Sequence, residues 1–381
     1  MAGMISTDSH LTFHIGNRHF SYAMQLLDGR FLAHLFWGPP LEHIDPETVL
    51  TPRRAPYLTT IPLGSDVGEG SAKGFGRPYV GAPRTGAAAP ATEALRQESA
   101  IAAPEADRGE AFSLDLLPQE YPAWGTGEQR EGAFRVLYAD GTVAARLEYL
   151  EHEAYQGPRE PELMGLIRGD HDLGAIETLR VRLGDPRGDM VVDLFYLVAE
   201  QSAVLLRWAR CSNSGVEPLI LRDPASSCLD LPSRPYDLVR LGGAWGRERH
   251  LVRTPLAFGR HAVGSRGGAT GHQSTPFLAV CEPDATEAAG TVYAVSLGYS
   301  GNFQAVCDVD QYEVPRLSVG INRLRAHLEP GESFETPVAL LVQSECGFGG
   351  ISNAFHRFAR SVVVARRWRE EPRKLIINSS A

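Results

Sequence analysis

The 381-residue chain is 43% apolar and 22% charged, a balance that lets a globular chain bury a sizeable core and excludes global disorder. Its formal charge of −9 is spread along the length without acidic or basic blocks, whereas a nucleic-acid backbone calls for clustered positive charge, so no nucleic-acid partner is expected. Five scattered cysteines (Cys211, Cys228, Cys281, Cys307, Cys346) form no Cys-x-x-Cys pair, residues 1–10 lack signal-peptide character, and no apolar run reaches the roughly 18 residues a membrane helix needs; a cytoplasmic protein with free thiols, no membrane contact and no metal or cofactor is expected.

Period-two alternation dominates the chain. Phe134, Val136 and Tyr138 alternate before Asp140-Gly141, and Val143, Ala145, Leu147 and Tyr149 alternate after it. Asp-Gly between two such runs predicts a β-hairpin, because a type I′ turn needs positive φ at both central residues. Further strands are predicted over Leu179, Val181 and Leu183, over Val192, Leu194 and Tyr196, and over Val204, Leu206 and Trp208, with Asn213-Ser214-Gly215 as the closing turn. Short strands with Gly and Pro turns and no intervening helical pattern predict an all-β fold of antiparallel sandwiches rather than a parallel α/β sheet.

Two stretches depart from this pattern. Residues 66–108 are dominated by Gly, Ala, Pro, Ser and Glu, with few large apolar side chains to offset the entropy of ordering, and are expected to form a flexible insertion. Near the end, Ile351, Phe355, Phe358 and Val362 follow helical spacing beside Arg357, Arg360, Arg366 and Arg367, which predicts one amphipathic helix capped by Ser352. The domain organisation expected is a large β unit over 1–346 followed by a helix and linker over 347–381.

Several catalytic motifs fail on inspection. Gly298-Tyr299-Ser300-Gly301-Asn302 lacks the final glycine of a nucleophile elbow. His152-Glu153 has Gln156 where a zinc-protease helix needs its second histidine. The glycine pairs Gly68/Gly70 and Gly74/Gly76 lack the third glycine of a dinucleotide cradle. Paired carboxylates for glycoside hydrolysis cannot be picked from 46 acidic residues, since their separation in space is invisible in sequence.

A series of longer segments carries more information. It runs Leu32-Ala33-His34-Leu35-Phe36-Trp37-Gly38, Phe112-Ser113-Leu114-Asp115 and Gln119-Glu120-Tyr121-Pro122, then Gly242-Gly243-Ala244-Trp245-Gly246-Arg247-Glu248-Arg249. It continues with Ser265-Arg266-Gly267-Gly268 leading to His272-Gln273, Tyr299-Ser300-Gly301-Asn302-Phe303, Gly320-Ile321-Asn322, Pro330-Gly331-Glu332 and Ile376-Ile377-Asn378. In these segments and in their order the chain resembles the amino-terminal half of glycoside hydrolase family 36 α-galactosidases, from residue 11 to about residue 378 outside the insertion.

The resemblance implies a large antiparallel β-supersandwich with a carboxy-terminal helix, followed in the family by a (β/α)8 barrel that hydrolyses terminal α-galactosides with retention through two aspartates. Family members continue past Ile-Ile-Asn into Trp-Glu-Ala, whereas this chain reads Ser379-Ser380-Ala381, and neither Lys73 nor Lys374 starts the family's Lys-x-Asp nucleophile motif. No catalytic residue is therefore assigned. The expectation is a domain inactive by itself, since without both carboxylates no glycosyl-enzyme forms or resolves.

The resemblance also singles out Trp245, because the matching Trp of the family sits on a sandwich loop that reaches the sugar pocket. An indole offers broad apolar area to a sugar's C–H face, and the alternative is a core or interface Trp. Arg247, Glu248 and Arg249 read as a solvated or mutually paired surface. His272 and Gln273 read as polar caps of a loop, with ligand contact as the alternative. Tyr299, Asn302 and Phe303 read as a turn with buried aromatics, and Glu120 with Tyr121 as a satisfied buried pair. Arg53-Arg54-Ala55 stand where the family has an acidic pocket residue, and no role is carried onto them.

Two functions follow from the resemblance and one from the residues alone. The first is a non-catalytic domain that shapes the active-site rim and assembles a homo-oligomer, or meets a separate catalytic barrel. The second is a stand-alone carbohydrate-binding or scaffold protein, with α-galactosides such as galactose, raffinose or melibiose as weak ligands. The third is an enzyme with an unrecognised carboxylate pair inside the sandwich.

Overall fold

The computed structural model describes residues 3–44, 114–125, 129–158, 173–372 and 374–377. The insertion expected over 66–108, the Arg53-Arg54 pair, Phe112-Ser113 and the last residues from Asn378 lie outside the described residues.

The chain opens with a four-stranded antiparallel meander of β1 (Ile5–Thr7), β2 (Thr12–Gly16), β3 (Ser21–Leu27) and β4 (Phe31–Gly38). It continues through β5 (Arg135–Leu137), β6 (Glu148–Gln156), β7 (Ile176–Gly184), β8 (Met190–Ala199), β9 (Leu205–Asn213), β10 (Leu219–Arg222) and β11 (Ala225–Asp230). Then come β12 (Asp237–Ala244), β13 (Arg247–Pro255), β14 (Gly259–Ser265), β15 (Ser274–Cys281) and β16 (Val292–Leu297). The last strands are β17 (Phe303–Val309), β18 (Pro315–Ile321), β19 (Arg325–Leu328), β20 (Ser333–Glu335) and β21 (Ala339–Ser344).

A 10-stranded sheet runs β13-β12-β15-β16-β21-β9-β8-β7-β6, with β20 paired to β9. Opposite it lie smaller sheets, β11-β18-β17-β14 and β19-β10-β5, and the first meander. Every pairing between these strands is antiparallel, so the fold is an all-β sandwich as the alternation predicts.

The large sheet is covered on both faces. Leu179, Val181, Val192, Leu194 and Tyr196 point into the sandwich core, while Phe195, Leu206 and Trp208 point away from it into a second cluster. The apolar run Val204, Leu206 and Trp208 is therefore real, but it faces the second cluster rather than the sandwich core. Phe195 and Trp208 stack there at 4.9 Å and 4°.

That second cluster is closed by α1 (Gly347–Phe358), which buries Ile351 and Phe358 against the sheet, while Phe355 meets Phe277 edge-on at 6.1 Å. Each fully buried side chain of this size stabilises by about 1.5–3 kcal/mol. The sheet thus covers the helix's apolar stripe at Ile351 and Phe358. The N-cap is corrected. The N-cap of α1 is Cys346, which makes no side-chain capping bond, and Ser352 sits inside the helix. After Phe358 the chain widens into a π-helical turn over Ala359–Val363, whose Val362 is buried, breaks at the extended Val364, and ends in α2 (Arg366–Glu370).

The Asp140-Gly141 hairpin is corrected as well. The turn closes, with Gly141 N–H donating to Tyr138 O at 3.0 Å, but φ is positive at Gly141 (85°) and not at Asp140, so the type I′ geometry is not met. Beyond the bond from Tyr138 N–H to Thr142 O at 2.9 Å, the two arms do not pair. Strand β5 instead pairs with β10, and Ala145 N–H donates to Trp124 O.

Candidate functional site

Trp245 occupies the tip of the β12–β13 hairpin. The ladder runs from Asp237↔Pro255 to Gly242↔His250, slips, and resumes at Ala244↔Arg247, which leaves Trp245-Gly246 as the turn. A Cβ on Gly243 would stand 2.3 Å from Arg247 O, and Gly246 has φ of 77°, so the slip and the turn both require glycine. Gly246 N–H donates to Glu248 Oε1 at 2.8 Å. That bond, with the backbone N–H of Glu248 itself and the nearby His272, holds the Glu248 carboxyl below its usual range. The charged run therefore reads as surface in part: Arg247, Glu248 and Arg249 are exposed, and Glu248 bonds to its own hairpin rather than to the arginines.

At this tip Trp245 is 88% exposed. It makes no ring contact among the described residues, so it is not a core residue of this chain.

Other segments from the sequence series converge near this hairpin. Gly243 N–H donates to Gln273 O at 3.3 Å. The Ser265–Gly268 loop is tied to the following turn by Gly268 N–H to Asn302 Oδ1 at 2.7 Å and by Thr270 N–H to Ser300 O at 2.8 Å. Asn322 N–H donates in turn to Asn302 O, one residue beyond the Phe303↔Ile321 pair. Residues separated by up to about 80 positions thus share one end of the sandwich, with His272 partly buried and Gln273 exposed. The aromatic expectation holds for Phe303, which is fully buried, and fails for Tyr299, which is 42% exposed. Leu251 in β13 and Phe258 in the connection to β14 are exposed.

Glu120 and Tyr121 are both buried and partnered, but not by each other. Glu120 Oε1 meets Arg207 Nη1 at 2.8 Å, accepts from Tyr196 OH at 3.1 Å and from Tyr22 OH, and its other oxygen lies 3.3 Å from His34 Nδ1. Burial opposes ionisation of Glu120, yet Arg207 and the hydrogen bonds outweigh it and hold the carboxyl below its usual range. Tyr121 OH donates to Ala225 O at 2.7 Å.

A second buried cluster was not legible in sequence. Asp230 accepts from Arg316 Nε at 2.6 Å and from Arg130 Nη2 at 3.0 Å, and Arg130 also lies 3.8 Å from Asp310. These partners are 86 and 100 positions from Asp230, beyond any local pattern. The two guanidiniums overcome desolvation and hold Asp230 below the carboxylate range, whereas burial raises Asp310.

Neither cluster offers glycosidase chemistry. Glu120 and Asp230 are each engaged by arginine, and the cavity that Arg316 lines with Asp308 and Ser318 has a volume of about 20 Å³. That accommodates about one water and no sugar ring. Among the described residues no His/Cys/Asp/Glu group has metal-binding geometry, and no helix is long and apolar enough to cross a membrane.

The comparisons with known proteins bear directly on this arrangement. The family model described as "Glycosyl hydrolase family 36 N-terminal domain" matches residues 30–329. Alpha-galactosidase AgaA of Geobacillus stearothermophilus is 35% identical over 371 residues, covering 96% of this chain and 44% of the relative. Alpha-galactosidase Mel36A of Lactobacillus acidophilus is 27% identical, covering 98% of this chain and 45% of its own length. The crystal structure of GH36 alpha-galactosidase AgaB from Geobacillus stearothermophilus superposes with a TM-score of 0.76 at 34% identity, over 98% of this chain and 45% of that one. Structures of AgaA variants have been solved in complex with stachyose and with raffinose. This chain spans less than half the length of these relatives, 44% and 45% for the two curated ones. By its match over residues 30–329 and its fold, the chain belongs to glycosyl hydrolase family 36, whose N-terminal domain it carries.

Proposed function

We propose that this chain serves an α-galactosidase as its non-catalytic β-sandwich domain, presenting Trp245 at the rim of a galactoside pocket whose catalytic carboxylates lie in a barrel beyond it. One observation carries the proposal: a tryptophan held 88% exposed on a glycine-built hairpin tip, where burial would have been favourable by about 1.5–3 kcal/mol or more. An indole presented to solvent by a rigid turn suits the apolar face of a sugar ring. Further support comes from Leu375, Ile376 and Ile377, which are 90%, 87% and 83% exposed and have strand-forming composition suited to cover by a following domain.

Purified protein is expected to give no turnover of p-nitrophenyl α-galactoside, and a complementing barrel supplied in trans is expected to be active with the parent domain and weakened by Trp245→Ala. Turnover by this chain alone would overturn the proposal.

The same exposed Trp245 favours a second reading, a carbohydrate-binding module that acts without a barrel. Calorimetry with galactose and raffinose separates the two: saturable binding lost in Trp245→Ala supports the module, and absence of binding leaves the rim role. We place the protein in the reducing cytoplasm, a setting that suits five free thiols, of which Cys211 and Cys228 are pushed up to about 12 by burial. Assembly into homo-oligomers belongs to the same proposal, with exposed Phe258 and Leu251 next to the Trp245 hairpin as the apolar surface available for it.

A further inference from the structure

The three-stranded sheet β19-β10-β5 carries an arrangement that neither the sandwich core nor the Trp245 hairpin requires. Its central strand alternates cleanly: Leu219 and Leu221 point inward and are buried, whereas Ile220 and Arg222 point outward. Arg222 pairs across the sheet with Arg325 of β19 on one side and with Arg135 of β5 on the other. Three guanidinium side chains therefore stand abreast on one exposed face. Like charges directly opposite each other on a sheet are destabilising, so such a row is costly without an anion to neutralise it.

The described residues do little to neutralise the row. Arg135 is paired with Glu131, but Arg222 and Arg325 have no carboxylate partner among the described residues. This occurs in a protein with a net charge of −9, where acidic partners outnumber basic ones.

Beside this row the surface is concave and apolar. Trp124, Leu137 and Val143 join Arg135, Val136 and Arg222 around a cavity of about 300 Å³, at the small end of the roughly 300–1,000 Å³ range of small-molecule sites. Trp124 is 42% exposed, and its carbonyl is fixed by Ala145 N–H at 3.1 Å, so the ring is presented by an anchored backbone. An aromatic wall with guanidinium groups at its edge matches a ligand with two parts, a flat or pyranose ring and a multiply charged anionic group. Guanidinium forks bind phosphate oxygens in pairs, and an indole packs against ring faces.

We propose that the outer face of the β19-β10-β5 sheet binds a ring-bearing organic phosphate, with the ring against Trp124 and the phosphate held by Arg222 and Arg135. Arg325 extends the positive row outward and draws the anion in. A sugar phosphate and a nucleoside monophosphate share this chemistry. The site involves no residue of the Trp245 hairpin, so it stands or falls independently of the galactoside reading.

The test is calorimetric titration of the full chain with galactose 1-phosphate, adenosine monophosphate, galactose and inorganic phosphate, in parallel with Arg222→Gln and Trp124→Ala, each first matched to the parent by thermal unfolding. At least one ring phosphate is expected to bind with Kd below about 1 mM, with galactose and inorganic phosphate each at least about tenfold weaker, and with either substitution weakening it about tenfold, as the loss of a charge-assisted bond or a stacking wall implies. Whichever ring phosphate binds more tightly identifies the source as sugar or nucleotide. Failure of both to bind at about 10 mM overturns the proposal, as does binding unchanged in Arg222→Gln, or inorganic phosphate binding as tightly as the ring compounds. Should Trp124→Ala not fold, the exposed Arg222→Gln substitution decides alone.

Discussion

Two regions built from residues of the family series behave in opposite ways. Around Glu120 a carboxylate, a guanidinium, two phenols and an imidazole are sealed inside the sandwich, with Glu120 Oε1 shared by Arg207 and both phenols. Around Trp245 a large apolar side chain is held out in solvent by glycines and by a carboxylate that bonds its own turn. Polar inside and apolar outside both run against the usual partition, but for different reasons. The buried groups tie β3, β4, the 119–122 segment and β9 into one geometry, where removing Glu120 or Arg207 strands the other's charge. The exposed indole ties nothing together among the described residues.

The comparison can be broken most sharply at Arg207. Arg207→Met leaves Glu120 buried and unpaired, and a loss of about 3–5 kcal/mol is expected in urea unfolding. Joint replacement of Glu120 and Arg207 by apolar residues of similar volume should recover much of that loss; if it does not, the pair contributes net stability rather than only avoiding a stranded charge.

Helix α1 supplies the next effect. Phe358→Ala empties part of the second cluster and should cost about 3–5 kcal/mol, read as a lowered thermal midpoint. A change under about 1 kcal/mol would mean that the helix is not docked on the sheet in solution.

Acid provides a third, graded test. Asp230 and Glu120 have depressed folded pKa values, set by arginines that outweigh burial. A depressed carboxyl contributes stability that is present above its unfolded value, about 4, and is lost as pH falls through the folded value. Asp310, raised by burial, acts in the opposite sense and becomes less unfavourable as pH falls, which offsets part of the loss. The urea midpoint should therefore drop below about pH 4, and in Arg316→Gln the acid-sensitive component should shrink. A midpoint that is flat down to about pH 3 would contradict the buried-charge account.

The smallest expected effect is at the other pole. Trp245→Ala should change stability by no more than about 0.5 kcal/mol, since the ring has no packed partner to lose. A larger destabilisation would move Trp245 into the same structural class as Glu120 and remove the basis for its role at a sugar pocket.

Some of this was decided locally and was legible in sequence. Alternation at period two specifies strand and inward face wherever one side of a sheet is buried, as at Leu179, Val181 and Leu183. The helical spacing of Ile351, Phe358 and Val362 likewise marks the stripe that the sheet buries. The resemblance to the family placed Trp245 on a sandwich loop, and the structure has it in the β12–β13 turn.

What only the tertiary structure decided concerns partners far apart in the chain. Asp140-Gly141 carries a hairpin signature, yet β5 pairs with β10, more than 80 residues later, because register is settled by which edges are available and not by the turn alone. Val204, Leu206 and Trp208 look like one sandwich face, but a helix 140 residues on supplies the second core they fill. The ion clusters at Glu120 and Asp230, and the three abreast arginines of the outer sheet, likewise depend on cross-strand neighbours that periodicity does not encode. Local pattern reports which way a side chain points relative to its own strand; only the assembled sheets determine what it meets there.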